Sequence, residues 1–572
     1  MKRCLLKFFC FSLLLVFNAA SYAKNTLHCS ILGLSGDIRI SVEQSLNLKQ
    51  QEELANPTPK EIQVFVAAAP YDIKIAMQPF GYFQAEVKSS LTNRGEDWFA
   101  TFVVSPQTPV KINRLDVRID GDGASDPLIK NILAQNPMRL GSILNTEVYK
   151  NFKQDFFDIA LNHGYMEAKI AENNIKIDLK KHTANIVLHF YTGPRYKFGN
   201  VTFSPSPFSE KFLHRFIPFQ EGELYASNQL LALQDNLNNS GYFKNVSVTQ
   251  NRQDIQRKTV PIQVELELRP NYQYDLGAGF GTDTGVRGLL GLEVRHLSDN
   301  GQHLRSFIKA SNTQNSLEVR YLIPGKNPTT DQYDISAAAE SRRQTYGDSR
   351  AFKLSGGYTT VFRNDWRQTL RLSLQQERYN LTNQPKQNTT FLIPSWSIMH
   401  LDSDNPVKPT RGHRINLTVQ GAIKGIIARN NFFQAQLDAK WIHPISSMNS
   451  IILRGTLGYT AINDINNLPL SLQYFAGGAQ SVRGYAYNGL GPGRNLTVAS
   501  AEFRQKVVSD WYAVGFFDLG NSDNSFRMRL KRGTGLGVAW LSPLGTLELT
   551  YAKALDNPGT PSMVQFSMGP EF

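Results

Sequence analysis

The stretch Gly477–Arg494, reading GGAQSVRGYAYNGLGPGR, decides how this chain is read. Six glycines and no acidic residue surround Val482-Arg483-Gly484-Tyr485, and the segments on either side alternate like strands. A connection this long is uncommon unless it is functional or unstructured. Glycine lets a backbone turn tightly and approach other groups, and arginine offers a planar fork of five donors that calls for a carboxylate. Two carboxylates follow: Glu502 in Ala501-Glu502-Phe503-Arg504 and Asp518 in Phe516-Phe517-Asp518-Leu519-Gly520-Asn521. A solvated hairpin loop with an ordinary surface arginine fits the spacing equally well. A phosphate cradle does not, because neither GxxxxGK[ST] nor a strand–GxGxxG–helix unit is present.

Outward from this loop, the chain from Tyr272 onward is aromatic and glycine-rich, without helical periods. Glu502, Arg504 and Lys506 share one face of a strand while Ala501, Phe503 and Val507 occupy the other, and Leu547, Leu549 and Tyr551 alternate with Glu548 and Thr550. That is the lumen-and-lipid pattern of a membrane barrel, which spans a bilayer without any long apolar run. At about 19 residues per strand and connection, residues 271–572 predict about 16 strands, an even number whose two ends lie on one side. Around Trp511–Phe517 both faces are apolar, and the alternation does not assign them.

The N-terminus carries Lys2, Arg3 and Lys7, an apolar run from Phe8 to Phe17, and Ser21-Tyr22-Ala23. It reads as a secretory signal over residues 1–23. Cys4 and Cys10 leave with it, so Cys29 alone remains and no internal disulfide is expected. The formal charge of +13 falls to +10 on cleavage. Its basic residues are dispersed, which argues for lumen, surface and lipid-headgroup charge and against nucleic acid.

Between Lys24 and Pro270 lies a repeat. Gly81-Tyr82-Phe83-Gln84-Ala85-Glu86-Val87, Gly164-Tyr165-Met166-Glu167-Ala168-Lys169-Ile170 and Gly241-Tyr242-Phe243-Lys244-Asn245-Val246-Ser247 are spaced by 83 and 77 residues. Each glycine follows a helical period (Ile73, Met77 and Phe80; Val148, Phe152, Phe156 and Ile159; Leu230, Leu233 and Leu237) and precedes period-two alternation, so it marks a left-handed helix stop before a strand. Asn145-Thr146 and Ser227 are expected to cap the helix starts. The three tyrosines are expected to be core or junction residues. A strand, two helices and two more strands per copy make three small α+β domains, over 24–106, 107–192 and 193–270.

VRGY in a long glycine-rich loop, a Glu-bearing strand, F-x-D-x-G and a last strand ending in Phe572 together resemble the outer-membrane assembly barrels, the superfamily that contains TamA and BamA. The Gly-[Tyr/Phe] junctions resemble those of its POTRA domains. Three copies match the TamA subgroup, against five in BamA-like proteins and two in two-partner-secretion transporters. The resemblance implies an all-β transmembrane antiparallel barrel of about 16 strands over 271–572, in the outer membrane, preceded by three POTRA domains in the periplasm. It implies that the loop folds into the lumen, with Val482, Arg483, Gly484 and Tyr485 as its motif and Glu502 and Asp518 as its acidic partners. It further implies a factor that inserts or translocates β-barrel clients, autotransporters especially, without nucleotide, metal or other cofactor. Its partners would be those unfolded clients, membrane lipid, and a TamB-like inner-membrane-anchored protein docking on the first POTRA domain. An export pore for one dedicated substrate is the alternative.

Two strands must close such a barrel, and both read as poor pairers. In Tyr272–Gly281, Gly277, Gly279 and Gly281 fall on alternate positions and strip one face of side chains; in Ser562–Phe572, Val564, Phe566, Met568 and Phe572 form an outward stripe that Gly569-Pro570 interrupts. A lateral gate between them is therefore expected. Enzyme signals are poor: HExxH, GxSxG and CxxC do not occur, the ten histidines are scattered singly, and with Arg483 beside them Glu502 and Asp518 read as ion-pair partners rather than an acid–base pair.

Overall fold

The computed structural model describes residues 25–48, 57–251, 255–282, 285–344, 346–362, 365–382, 384–405, 408–542 and 545–569. The signal segment, Pro570 and Phe572 lie outside these. The chain packs as two units, one comprising residues 1–199, 221–228 and 252–260 and the other residues 200–220, 229–251 and 261–572.

In the first unit, strands Thr26–Leu32, Glu86–Arg94 and Asp97–Ser105 form a sheet with the third strand in the middle, parallel to the first and antiparallel to the second. Helices Gly36–Ser45 and Pro59–Met77 bury Val42, Ile62, Val66 and Ile73 in its core. The arrangement recurs with strands Lys111–Asp120, Lys169–Asp178 and Thr183–Tyr191 and helices Pro127–Ala134 and Thr146–Asn162. A third sheet, most of whose residues fall in the second unit, has the order Lys197–Phe203, Thr259–Leu268, Phe243–Gln250. Helix Thr146–Asn162 starts where the Asn145 side chain accepts hydrogen bonds from the Glu147 and Val148 amides, and it buries Tyr149, Phe152, Phe156 and Ala160. Its buried stripe is thus centred one residue past Val148 and Ile159, which are only partly buried. Gly81, Gly164 and Gly241 all take positive φ, near +85°, as a helix stop requires. Ser227 is a correction: it is the first helical residue, and its hydroxyl donates to Asn162 Oδ1.

Tyr165 is buried, and its role is chemical as well as apolar. Its hydroxyl donates to Asp126 Oδ2 at 2.7 Å, Arg195 Nη1 donates to the same oxygen at 3.0 Å, and the Leu128 amide donates to Oδ1 at 2.9 Å. Burial opposes ionisation of this carboxyl, but the Tyr165 and Leu128 hydrogen bonds and the Arg195 charge outweigh it and hold the group below the usual aspartate range. A depressed folded value gives stability that is present above the ordinary carboxylate range and lost as pH falls through the folded value. Asp126→Asn should therefore cost about 1.5–3 kcal/mol at pH 7, and the difference should shrink as pH falls below the ordinary aspartate range. Hydrogen exchange of the amides around Tyr165 in the intact protein measures both; equal protection in mutant and wild type at pH 7 would refute the assignment.

The second unit is dominated by a sheet of 16 strands, from Tyr272–Gly281 to Ser562–Gly569. Every neighbouring pair is antiparallel and follows sequence order. Leu276, Val286, Leu354, Leu536 and Leu549 are exposed on one face, while Asp334, Gln375, Glu377 and Gln565 are buried on the other. Such a wall satisfies its backbone groups strand to strand and presents apolar side chains to lipid. Strands Asn449–Ala461 and Asn495–Val508 pair directly, Tyr459 opposite Asn495, so residues 462–494 between them form one excursion. Within this unit, Phe208 packs edge to face with His296, Tyr242 does so with both Phe212 and His303, and the Tyr242 hydroxyl donates to the Gly301 carbonyl.

Candidate functional site

The excursion narrows into a two-strand ribbon, Tyr474–Ala476 against Leu490–Gly493, and its tip carries Val482-Arg483-Gly484-Tyr485. Val482 and Tyr485 are buried in an apolar seat with Tyr474, Leu496, Val498 and Ala554. Gly484 is required twice over: φ is +91°, and a Cβ there would meet the Lys553 carbonyl carbon at 2.8 Å. Opposite it, Gly533 leaves room for the Arg483 carbonyl oxygen, which a Cβ would meet at 2.0 Å.

Arg483 has no solvent exposure, and all five of its side-chain donors are used. Nε donates to Asp518 Oδ2 at 2.8 Å and Nη2 to Asp518 Oδ1 at 2.9 Å, a bidentate fork. Nη1 donates to Glu502 Oε2 at 2.7 Å and Glu548 Oε1 at 2.8 Å, and Nη2 also reaches Ser500 Oγ at 3.2 Å. Its backbone amide adds a bond to Asp518 Oδ2 at 3.0 Å, and the guanidinium carbon lies 3.5 Å from the Phe516 ring centre. The structure brings both expected acids to Arg483, and a third.

Charge balance follows from two further arginines. Arg504 Nε donates to Glu502 Oε1 at 2.8 Å and its Nη2 to Glu548 Oε2 at 3.3 Å, while Arg454 Nη2 stands 3.6 Å from Glu502 Oε2. Three carboxylates thus face three guanidinium groups, which a buried cluster needs if it is not to carry net charge into a low-dielectric site. Period two sets the faces: Ser500, Glu502 and Arg504 point inward from one strand, Phe516 and Asp518 from the next, with Ser500 opposite Asp518. Phe516 settles the apolar faces of Trp511–Phe517, since it is buried inside while Trp511 and Phe517 are exposed.

Sequence reasoning did not reach Glu548, Arg454, Ser500 or the supporting role of Phe516. Glu548 sits on strand Gly545–Ala554, and between that strand and the one carrying Asp518 lies Lys531–Ser542, with exposed Leu536 and Val538 on its outer face and Gly533, Gly535 and Gly537 at the alternate positions. A G-x-G-x-G strand next to a Glu-bearing strand is the signal that could have located the seat.

The expected gate residues fall on the two end strands. Gly277, Gly279 and Gly281 alternate with exposed Leu276 and Phe280 in Tyr272–Gly281, and Phe566 and Gly569 lie in Ser562–Gly569. Among the described residues no ladder joins these strands. Beside them, the Phe566 amide donates to Oγ1 of Thr282, the residue that follows the first strand, at 3.2 Å.

Comparison with known families and structures agrees with this architecture. The Omp85 superfamily domain matches residues 297–572, the TamA-type first POTRA domain residues 28–106, and the surface antigen variable number repeat of the POTRA class residues 196–268. The chain is similar to the outer membrane protein assembly factor BamA of Neisseria meningitidis serogroup B, 21% identical over 68% of this chain and 58% of that protein. It is also similar to BamA of Nitratidesulfovibrio vulgaris, 22% identical over 62% of this chain and 48% of that one. The chain spans about half the length of these curated relatives. In fold it resembles the crystal structure of BamA from Haemophilus ducreyi lacking POTRA domains 1–3, with a TM-score of 0.67, 17% identity, and coverage of 79% of this chain and 99% of that one. Residues 297–572 are thus an Omp85 superfamily domain, part of an outer-membrane barrel of 16 antiparallel strands that is preceded by POTRA domains, the first of them TamA-type.

Proposed function

We propose that this protein assembles other β-barrel proteins, autotransporters among them, into the outer membrane through the seam between its first and last barrel strands, using no nucleotide or cofactor. The observation that carries this reading is the seam, where strands Tyr272–Gly281 and Ser562–Gly569 share no ladder among the described residues. Two edges that no ladder joins among the described residues, in a wall of otherwise continuous ladders, are what a strand-templating machine needs and what most sheet proteins suppress. The apolar outer face supports this reading, since it would set those edges in lipid, where a client strand must end up. The TamA-type first domain supports docking of an inner-membrane-anchored, periplasm-spanning partner of the TamB kind on residues 24–106, and the lumen cluster supports a structural rather than catalytic role for Arg483, Glu502 and Asp518.

Depletion of the protein followed by quantitative analysis of the outer membrane tests the reading. A set of β-barrel proteins should fall severalfold while inner-membrane proteins stay level. Loss of one secreted protein with the barrel proteome intact would instead identify a dedicated export pore.

A further inference from the structure

The lumen loop is not tied to the carboxylate wall alone. Gln565 lies on the last barrel strand, has no solvent exposure, and points into the lumen between outward-facing Val564 and Phe566. Its Oε1 accepts a hydrogen bond from the Gly484 amide at 2.9 Å, and its Nε2 donates to the Tyr485 carbonyl at 3.4 Å. The side chain therefore pairs with the loop backbone as a neighbouring strand would, one residue past Arg483. A second tie lies in the connection before that strand: the Asp556 amide donates to the Tyr485 hydroxyl at 3.3 Å, and Asp556 is held by the Arg532 fork, Nη2 to Oδ1 at 2.7 Å and Nε to Oδ2 at 3.0 Å.

These contacts matter because of where the last strand stands. On one side it is laddered to Gly545–Ala554 over Thr546–Gly569 to Lys553–Ser562; on the other the Phe566 amide reaches Thr282 Oγ1. Arg483 fixes the loop to strands further round the wall, through Glu502, Asp518 and Glu548, but those bonds end at the penultimate strand. Among the described residues, the bonds from the Val482–Tyr485 tip to Gln565 carry the tie onto the last strand itself. We infer that Gln565 is a positioning residue that latches the last strand to the seated lumen loop, so that seam closure and loop seating stabilise one another. Its functional consequence rests on the seam reading above. Coupling of this kind is reciprocal: if opening the seam breaks the Gln565 bonds, loosening the loop favours opening by the same factor.

The test is hydrogen exchange of the intact protein in lipid nanodiscs, following the peptide that contains Phe566, whose amide faces the seam. Gln565→Leu should speed exchange there by about tenfold, the equilibrium change that one to two lost buried hydrogen bonds bring, while peptides from Asn495–Asp523 keep wild-type protection. Gln565→Glu, which keeps the acceptor for Gly484 and loses the donor to Tyr485, should give a smaller increase, and it serves if the leucine variant fails to fold. Coupling is read by a double-mutant cycle: Arg483→Lys should accelerate seam exchange with Gln565 present and have little further effect in Gln565→Leu. A folded Gln565→Leu or Gln565→Glu protein with unchanged seam exchange, or Arg483 and Gln565 effects that simply add, overturns the latch. The seam reading fails by a different result. If Gln565→Leu speeds seam exchange while client assembly proceeds normally with the seam covalently locked, the latch stands and the gate does not.

Discussion

Arg483→Ala should cost the barrel about 3–5 kcal/mol, because it leaves buried carboxylates without their main partner. In the wild-type cluster three carboxylates face three guanidinium groups; removing Arg483 strips Asp518 of its fork and leaves Arg504 and Arg454 to face Glu502 and Glu548. Asp518 has no solvent exposure and Glu502 is 2% exposed, so water cannot take over the lost bonds without opening the site. Arg483→Lys should recover only part of the loss, since an ammonium cannot form the bidentate bond to Asp518, lie flat on Phe516 and reach two glutamates together. Adding Asp518→Asn to Arg483→Ala should restore some stability by removing the uncompensated charge. The temperature at which the folded barrel loses its fast migration in detergent gels, and the yield of assembled clients, report these effects. Wild-type behaviour of Arg483→Ala in both assays would show that the cluster does not hold the loop.

Locking the seam should abolish client assembly almost completely. A net hydrogen bond is worth about 0.5–1.5 kcal/mol, so parting two strands that share no ladder among the described residues costs far less than parting any other neighbouring pair of the wall. The experiment replaces Cys29 with serine, leaving no cysteine in the described residues, and places cysteine pairs at positions flanking Thr282 and Phe566. Oxidised protein should assemble clients at least about tenfold more slowly, the effect of adding a few kcal/mol to an opening step, and reduction should restore the rate. A control pair at Tyr551 and Val564, opposite one another in the ladder between the last two strands and both facing outward, should leave assembly untouched. Normal assembly by efficiently crosslinked seam protein would remove the gate from the mechanism and leave bilayer thinning or the periplasmic domains to account for activity.

The amino-acid sequence by itself determined the division into helical repeats and alternating strands, because 3.6-residue and two-residue periods are local properties that burial of one face imposes. It marked Gly81, Gly164 and Gly241 as helix stops and offered Glu502 and Asp518 as partners for Arg483, since both lie within two strands of the loop, while the pairing in the lumen was what the family resemblance implied. Tertiary structure alone decided which of the remaining inward residues meet the loop. Alternation says which face a side chain takes, but its height in the barrel depends on stagger accumulated strand by strand around the wall. Glu548 and Gln565, 65 and 81 residues from the residues they bind, reach the loop tip only because that register brings them there. Phe516 blurred its strand's pattern for a related reason: an aromatic ring on a polar lumen face makes sense only once a guanidinium from a distant loop lies on it.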